Sequence, residues 1–145
     1  MTSPDQIIAE ARKLIGAPYR HLGRGPFAYD CLGLVLAVFK RVGAVAQDFD
    51  FTDYSQDTSQ YQLEQYLNGS DFLECLAHWK DAQPGDILLQ RFHLSIPASH
   101  LILITMAERG SLWGVHASRR GVVEQRIAHI ERCVAAYRLK EVQLG

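Results

Sequence analysis

Apolar residues recur at helical spacing near the start of the chain: Ile7, Ile8, Ala11, Leu14 and Ile15 share one face. Ser3-Pro4 before them is a helix start, with serine at the cap and proline at the first helical position. Gly16 is placed for the left-handed stop. Two glycines and two prolines punctuate residues 17–30, which predicts a loop. From Cys31 to Arg41 the chain is apolar almost all round, through Leu32, Leu34, Val35, Leu36, Val38 and Phe39. A helix of that kind is buried against a sheet, and Gly43 closes it.

The middle of the chain is polar. Residues 46–60 carry Asp, Gln, Ser and Thr around Phe49, Phe51 and Tyr54, which predicts a surface loop packed by its aromatics. A short helix from Ser59 to Leu67 follows, ended by Asn68-Gly69. The second half then changes period. Gln83-Pro84-Gly85-Asp86 turns into a strand at Ile87–Gln90. Further strands are expected at His100–Met106, Leu112–Ala117, Val122–Arg126 and Ala135–Lys140. Helices first and strands after predict an α+β fold, with the helices on one side of an antiparallel, meandering sheet of about five strands.

The totals fit one domain over 1–145. An apolar share of 48% and a charged share of 21% are those of a globular protein, and the formal net charge of −1 offers no footprint for nucleic acid. Cys31, Cys75 and Cys133 are odd in number and far apart, so neither a disulfide framework nor a cysteine metal site is expected. Cys75 and Cys133, in apolar surroundings, read as core or near-core thiols. Neither a signal peptide nor a run near the roughly 20 apolar residues of a membrane span is visible, so synthesis in the cytoplasm and no membrane insertion are expected.

One constellation carries chemistry. Asp30 is a helix cap, and Cys31 sits in the first helical turn behind it. The partial positive charge and free N–H groups there favour thiolate, the nucleophilic form of cysteine. His100 opens one apolar strand and His116 ends the next. Adjacent antiparallel strands can bring the two rings together, so that His116 fixes the tautomer of His100 and His100 serves as base to Cys31. Taken singly, each residue has a plainer reading: a small buried hydrophobe for the cysteine, solvated strand ends for the histidines. Arg20, Arg24, Arg119 and Arg120 read first as solvated surface charges and second as partners of substrate carboxylates, and His21, His78, His93 and His129 read as surface residues.

Several blocks in order resemble the NlpC-type cell-wall peptidases, a papain-like family. They are Leu14-Ile15-Gly16-Ala17-Pro18-Tyr19, Asp30-Cys31-Leu32-Gly33-Leu34-Val35, Gln83-Pro84-Gly85-Asp86-Ile87-Leu88, Ser99-His100-Leu101-Ile102-Leu103-Ile104, and Val115-His116-Ala117-Ser118 with Gly121-Val122-Val123. The resemblance implies Cys31 as nucleophile, His100 as general base and His116 as the orienting residue. It places Tyr19, Asp30 and Leu32 at the substrate, with no metal or cofactor. It implies cleavage of peptidoglycan stem peptides, typically between γ-D-glutamate and diaminopimelate or lysine. Leu32 stands where the family usually has a serine that helps hold a free amine, which leaves the cut site open. The Asp-Cys-Leu-Gly-Leu-Val version resembles a phage and gene-transfer-agent branch, which implies tail proteins as partners and delivery to the cell wall by a phage or phage-like tail. Two other readings stand beside the endopeptidase: a non-catalytic assembly module of a tail, and an amidase of the same fold.

Overall fold

The computed structural model describes residues 2–52, 62–91 and 100–140. Helix α1 spans Pro4–Arg12, α2 Cys31–Arg41 and α3 Gln62–Asn68; six strands follow, β1 Leu73–Cys75, β2 Ile87–Gln90, β3 His100–Glu108, β4 Ser111–Ser118, β5 Gly121–Arg126 and β6 Cys133–Leu139. Single 3-10 turns at Trp79–Asp81 and Ile130–Arg132 complete the described elements.

The helix starts follow their local chemistry. Ser3 caps α1 in a reciprocal box: its side chain accepts from the Gln6 N–H, and the Gln6 side chain accepts from the Ser3 N–H. Helix α1 ends at Arg12, short of the predicted stop, and Ile15 is turned outward, 43% exposed. Helix α2 has the predicted bounds. Its cap Asp30 accepts from the Gly33 N–H at 2.7 Å. Part of the predicted Ser59–Leu67 helix and Tyr54 lie outside the described residues; α3 is described from Gln62 onward.

The sheet order is β1-β6-β2-β3-β4-β5, antiparallel throughout. Two corrections to the expected meander follow. Only β2 to β5 run as neighbours in sequence, because β6 returns to lie between β1 and β2. The described residues form six strands rather than about five, because the three residues of β1 pair with the end of β6, Leu73 opposite Leu139.

Strand residues alternate between two cores. Ile87, Leu89, Leu101, Leu103, Val115, Ala117 and Tyr137 pack with the helices, including Ile7, Leu34, Leu36 and Phe39. Leu88, Ile102, Ile104 and Ala136 pack on the opposite face with Ala82, Ile127 and Trp79. That second core explains why β2 and β3 read as unbroken apolar runs: the middle of the sheet is covered on both faces. Cys75, expected in or near the core, is exposed on the outermost strand, whereas Cys133 is partly buried against the second core.

Candidate active site

The site is built where the loop 17–30, the start of α2 and the β3–β4 pair meet. The loop is anchored to β5: the Gly16 N–H donates to the Val122 carbonyl at 2.9 Å, and the Val122 N–H to the Ala17 carbonyl at 2.8 Å. Gly121, at φ 109°, passes so close that a Cβ there would lie 2.8 Å from the Ala17 carbonyl oxygen. The loop then turns back on itself, with the Gly23 N–H on the Arg20 carbonyl and the Asp30 N–H on the Gly23 carbonyl. Gly33, one turn into α2, faces that same Gly23 carbonyl; a Cβ would overlap its oxygen. The loop therefore lies directly on the first turn of the helix that begins with Cys31.

Asp30 is the hinge of this arrangement and is only 2% exposed. One carboxylate oxygen accepts from the Gly33 N–H at 2.7 Å and from the Arg24 guanidinium at 3.0 Å. The other accepts from the Leu22 N–H at 2.9 Å. Leu22 is held at φ 60°, a left-handed conformation that costs a non-glycine residue energy. Arg24 continues outward, with Nε on Asp50 at 2.7 Å and Nη2 on the Phe51 carbonyl at 2.8 Å. Phe51 in turn stacks on Tyr66 of α3, ring centroids 4.0 Å apart.

The two histidines meet as expected. His100 Nε2 and His116 Nδ1 are 2.8 Å apart, with ring centroids at 4.9 Å and an interplanar angle of 80°. Both rings are buried. Burial, with the His116 ring adding to it, holds His100 down to about 3, and burial lowers His116 as well. The pair is thus neutral near neutral pH, and one proton lies between the two nitrogens. The Cys31 sulfur comes to the head of β3, where the Leu101 N–H donates toward it, joined by the N–H groups of Leu32 and Cys31 itself. The sulfur thus lies at the start of the strand that His100 opens.

The state of the sulfur differs from the expectation of a sensitised thiolate. Burial pushes the Cys31 thiol up to about 12, and the neighbouring Asp30 carboxylate adds to the rise. The three N–H groups pull the other way and do not prevail. A helix terminus supplies about half a charge, and taking a thiolate out of water costs more. Two further expectations are corrected. Asp30, expected at the substrate, has its oxygens turned inward onto Gly33, Leu22 and Arg24, and Leu32 is 1% exposed in the main core. Neither presents a surface to a ligand. Tyr19 is partly exposed and packs against the main core, with its backbone paired to Tyr29.

Asp86, in the turn before β2, plays a structural part. It is 2% exposed, accepts from the Gln83 N–H at 2.8 Å, and accepts from Nε and Nη2 of Arg138, each at 2.9 Å. Arg24 is the site residue that sequence reasoning missed. Nothing in a loop of glycines and prolines separates the half-buried Arg24 from the exposed Arg20, Arg119 and Arg120. Among the described residues, no three or more His, Cys, Asp or Glu side chains are gathered to hold a metal, and no helix is long and apolar enough to cross a membrane.

No family model matches the chain. It is similar to a probable endopeptidase p60 from Listeria grayi, 30% identical over 82 residues, which is 57% of this chain. The chain spans 13% of that relative's length. Among solved structures it resembles an NlpC/P60 family protein from Bacillus cereus (TM-score 0.63, 19% identity, 94% of this chain and 40% of that one). It also resembles NlpC2 from Trichomonas vaginalis (TM-score 0.64, 18% identity, 94% and 46%). A third likeness, to the NlpC/p60 domain of the peptidoglycan hydrolase SagA, covers nearly the whole of both chains (TM-score 0.55, 20% identity, 93% and 97%).

Proposed function

We propose that the chain is a cysteine peptidase of the NlpC/P60 type hydrolysing stem-peptide amide bonds of peptidoglycan, with Cys31 as nucleophile, His100 as base and His116 as the orienting residue; the likeness to endopeptidase p60 and to the NlpC/p60 domain of SagA supports this reading. The observation that carries the reading is the 2.8 Å contact between His100 Nε2 and His116 Nδ1, beside a sulfur at the head of α2.

The mechanism follows from which nitrogens are engaged. With Nε2 of His100 donating its proton to Nδ1 of His116, Nδ1 of His100 carries a lone pair. That nitrogen is the one left to receive the thiol proton. His116 is neutral, lowered by burial, and so can accept at Nδ1. Because the thiol is held high and His100 low, no standing thiolate–imidazolium pair is needed. The proton passes from sulfur to His100 as sulfur attacks the carbonyl carbon. Entry of substrate expels water and brings the carbonyl oxygen, where charge develops, towards the N–H groups of the first helical turn. His100 then hands its proton to the leaving amine. In the second half-reaction it takes a proton from water, which attacks the thioester and frees Cys31. Tyr19, partly exposed beside the loop, is assigned to the substrate side.

The bond between γ-D-glutamate and diaminopimelate or lysine is the assigned target, and a phage or phage-like tail the assigned carrier. The bond rests on the resemblance as a whole, and the carrier on the Asp30–Val35 block. A second reading, a non-catalytic tail module, is favoured by one observation: the half-buried Cys31, its thiol held protonated. Purified sacculi separate the two. Wild type is expected to release soluble muropeptides, whose masses identify the bond, and Cys31→Ala to release none while keeping the wild-type circular dichroism. Undiminished release by that variant refutes the peptidase reading.

A further inference from the structure

We propose that Arg24 is a positioning residue for the Cys31 sulfur: it keeps the Asp30 carboxylate charge-compensated against the first turn of α2 and ties that turn to Asp50 and Phe51. The proposal rests on Cys31 being the nucleophile, and its test reads the thiol directly.

The argument begins with where Asp30 sits. It is the residue before Cys31 and its carboxylate is almost wholly out of water. An unpaired charge in such a place is expensive, and a negative one beside a thiol opposes thiolate formation. The two N–H donors, from Leu22 and Gly33, orient the carboxylate and carry no full charge. Arg24 supplies the cation, at 3.0 Å, with its own side chain 17% exposed. The guanidinium suits this because it is planar and carries five donors. One arm holds Asp30 and the Gly23 carbonyl, Nε holds Asp50 and the other arm holds the Phe51 carbonyl. The Gly23 carbonyl is the group that presses on Gly33. Arg24 thus grips the cap, the loop lying on the helix start and the segment beyond at once. The placement of the sulfur depends on all three.

The two charges act on the sulfur with opposite sign, and this makes the proposal testable. Arg24→Gln leaves Asp30 uncompensated. Asp30→Asn keeps a capping oxygen and removes the negative charge beside the thiol, while Arg24 keeps its pair with Asp50. Asp50→Asn removes the outer tie, where the partner is 40% exposed, and keeps the inner pair. The readout is the rate of Cys31 alkylation by iodoacetamide between pH 6 and 10, followed by mass spectrometry of the Cys31 peptide so that Cys75 and Cys133 do not contribute. We expect Arg24→Gln to be at least tenfold slower than wild type at a given pH, Asp30→Asn to be faster, and Asp50→Asn to stay within twofold. A shift in the same direction for the first two variants overturns the proposal, as does an Asp50→Asn effect equal to that of Arg24→Gln. If Arg24→Gln fails to fold, Asp30→Asn decides: slower alkylation than wild type overturns it. Failure of the peptidase reading is distinguishable, since it appears as wall release by Cys31→Ala and leaves these profiles unchanged.

Discussion

Acid should destabilise this fold well above the range in which carboxylates titrate, through His100. The folded state holds His100 neutral, down to about 3, because the ring is buried and faces His116. The unfolded chain exposes it, with an ordinary value near 6.5. Below pH 6.5 the unfolded state binds a proton that the folded state refuses, so stability falls as pH falls. The slope approaches 1.36 kcal/mol per pH unit, so the drop from pH 7 to pH 5 is about 2 kcal/mol from this one ring. His116, lowered by burial too, adds in the same direction. Glu10, Glu124 and Glu131 are held below their ordinary 4.5, so their share of acid loss lies beneath this window. Against a typical total of about 5–15 kcal/mol, 2 kcal/mol is a large fraction. Urea unfolding followed by the fluorescence of Trp79 and Trp113 at pH 7, 6 and 5 measures it. His100→Gln should be less stable at pH 7 and should lose about 2 kcal/mol of the pH dependence. A wild type with flat stability between pH 7 and 5, or a variant with the full slope, refutes the reasoning.

Other outcomes follow from single contacts. Gly33→Ala pushes a methyl group into the Gly23 carbonyl, and backbone cannot rotate away; a loss of roughly 2–4 kcal/mol in urea unfolding is expected, together with loss of wall release. Wild-type stability in that variant would show that the loop does not lie on α2. Asp86→Ala strands the Arg138 guanidinium, 18% exposed, with its bidentate partner gone; the cost expected is about 3 kcal/mol, and a melting temperature within a degree of wild type would contradict it. In the absence of substrate at pH 8, iodoacetamide should modify exposed Cys75 before Cys31, whose thiol burial pushes up to about 12; labelling in the reverse order would remove the burial argument.

Much of the architecture was legible because its causes are local. Ser3-Pro4 and Asp30 announce helix starts by side-chain capping, and β2 to β5 are apolar runs between turn residues. Strand β1 was not legible: Leu73–Cys75 has no period of its own and is a strand only because the end of β6 pairs with it. The return of β6 between β1 and β2 is a matter of long-range pairing, to which local pattern is blind. The meeting of His100 and His116 could be anticipated, since two neighbouring strand ends are local features that the β3–β4 hairpin brings together.

The chain alone determined which residue types stand at those element ends, because capping, turn chemistry and apolar period act over a few neighbours. Tertiary structure decided their state. Local dipoles favour a thiolate at Cys31, but the sheet and loop remove it from water, and desolvation reverses the sign. Asp30 and Leu32 looked available to substrate until packing turned one onto Arg24 and buried the other. Solvent access and the company of charges are set by what folds over a residue, and that is written in positions far from it.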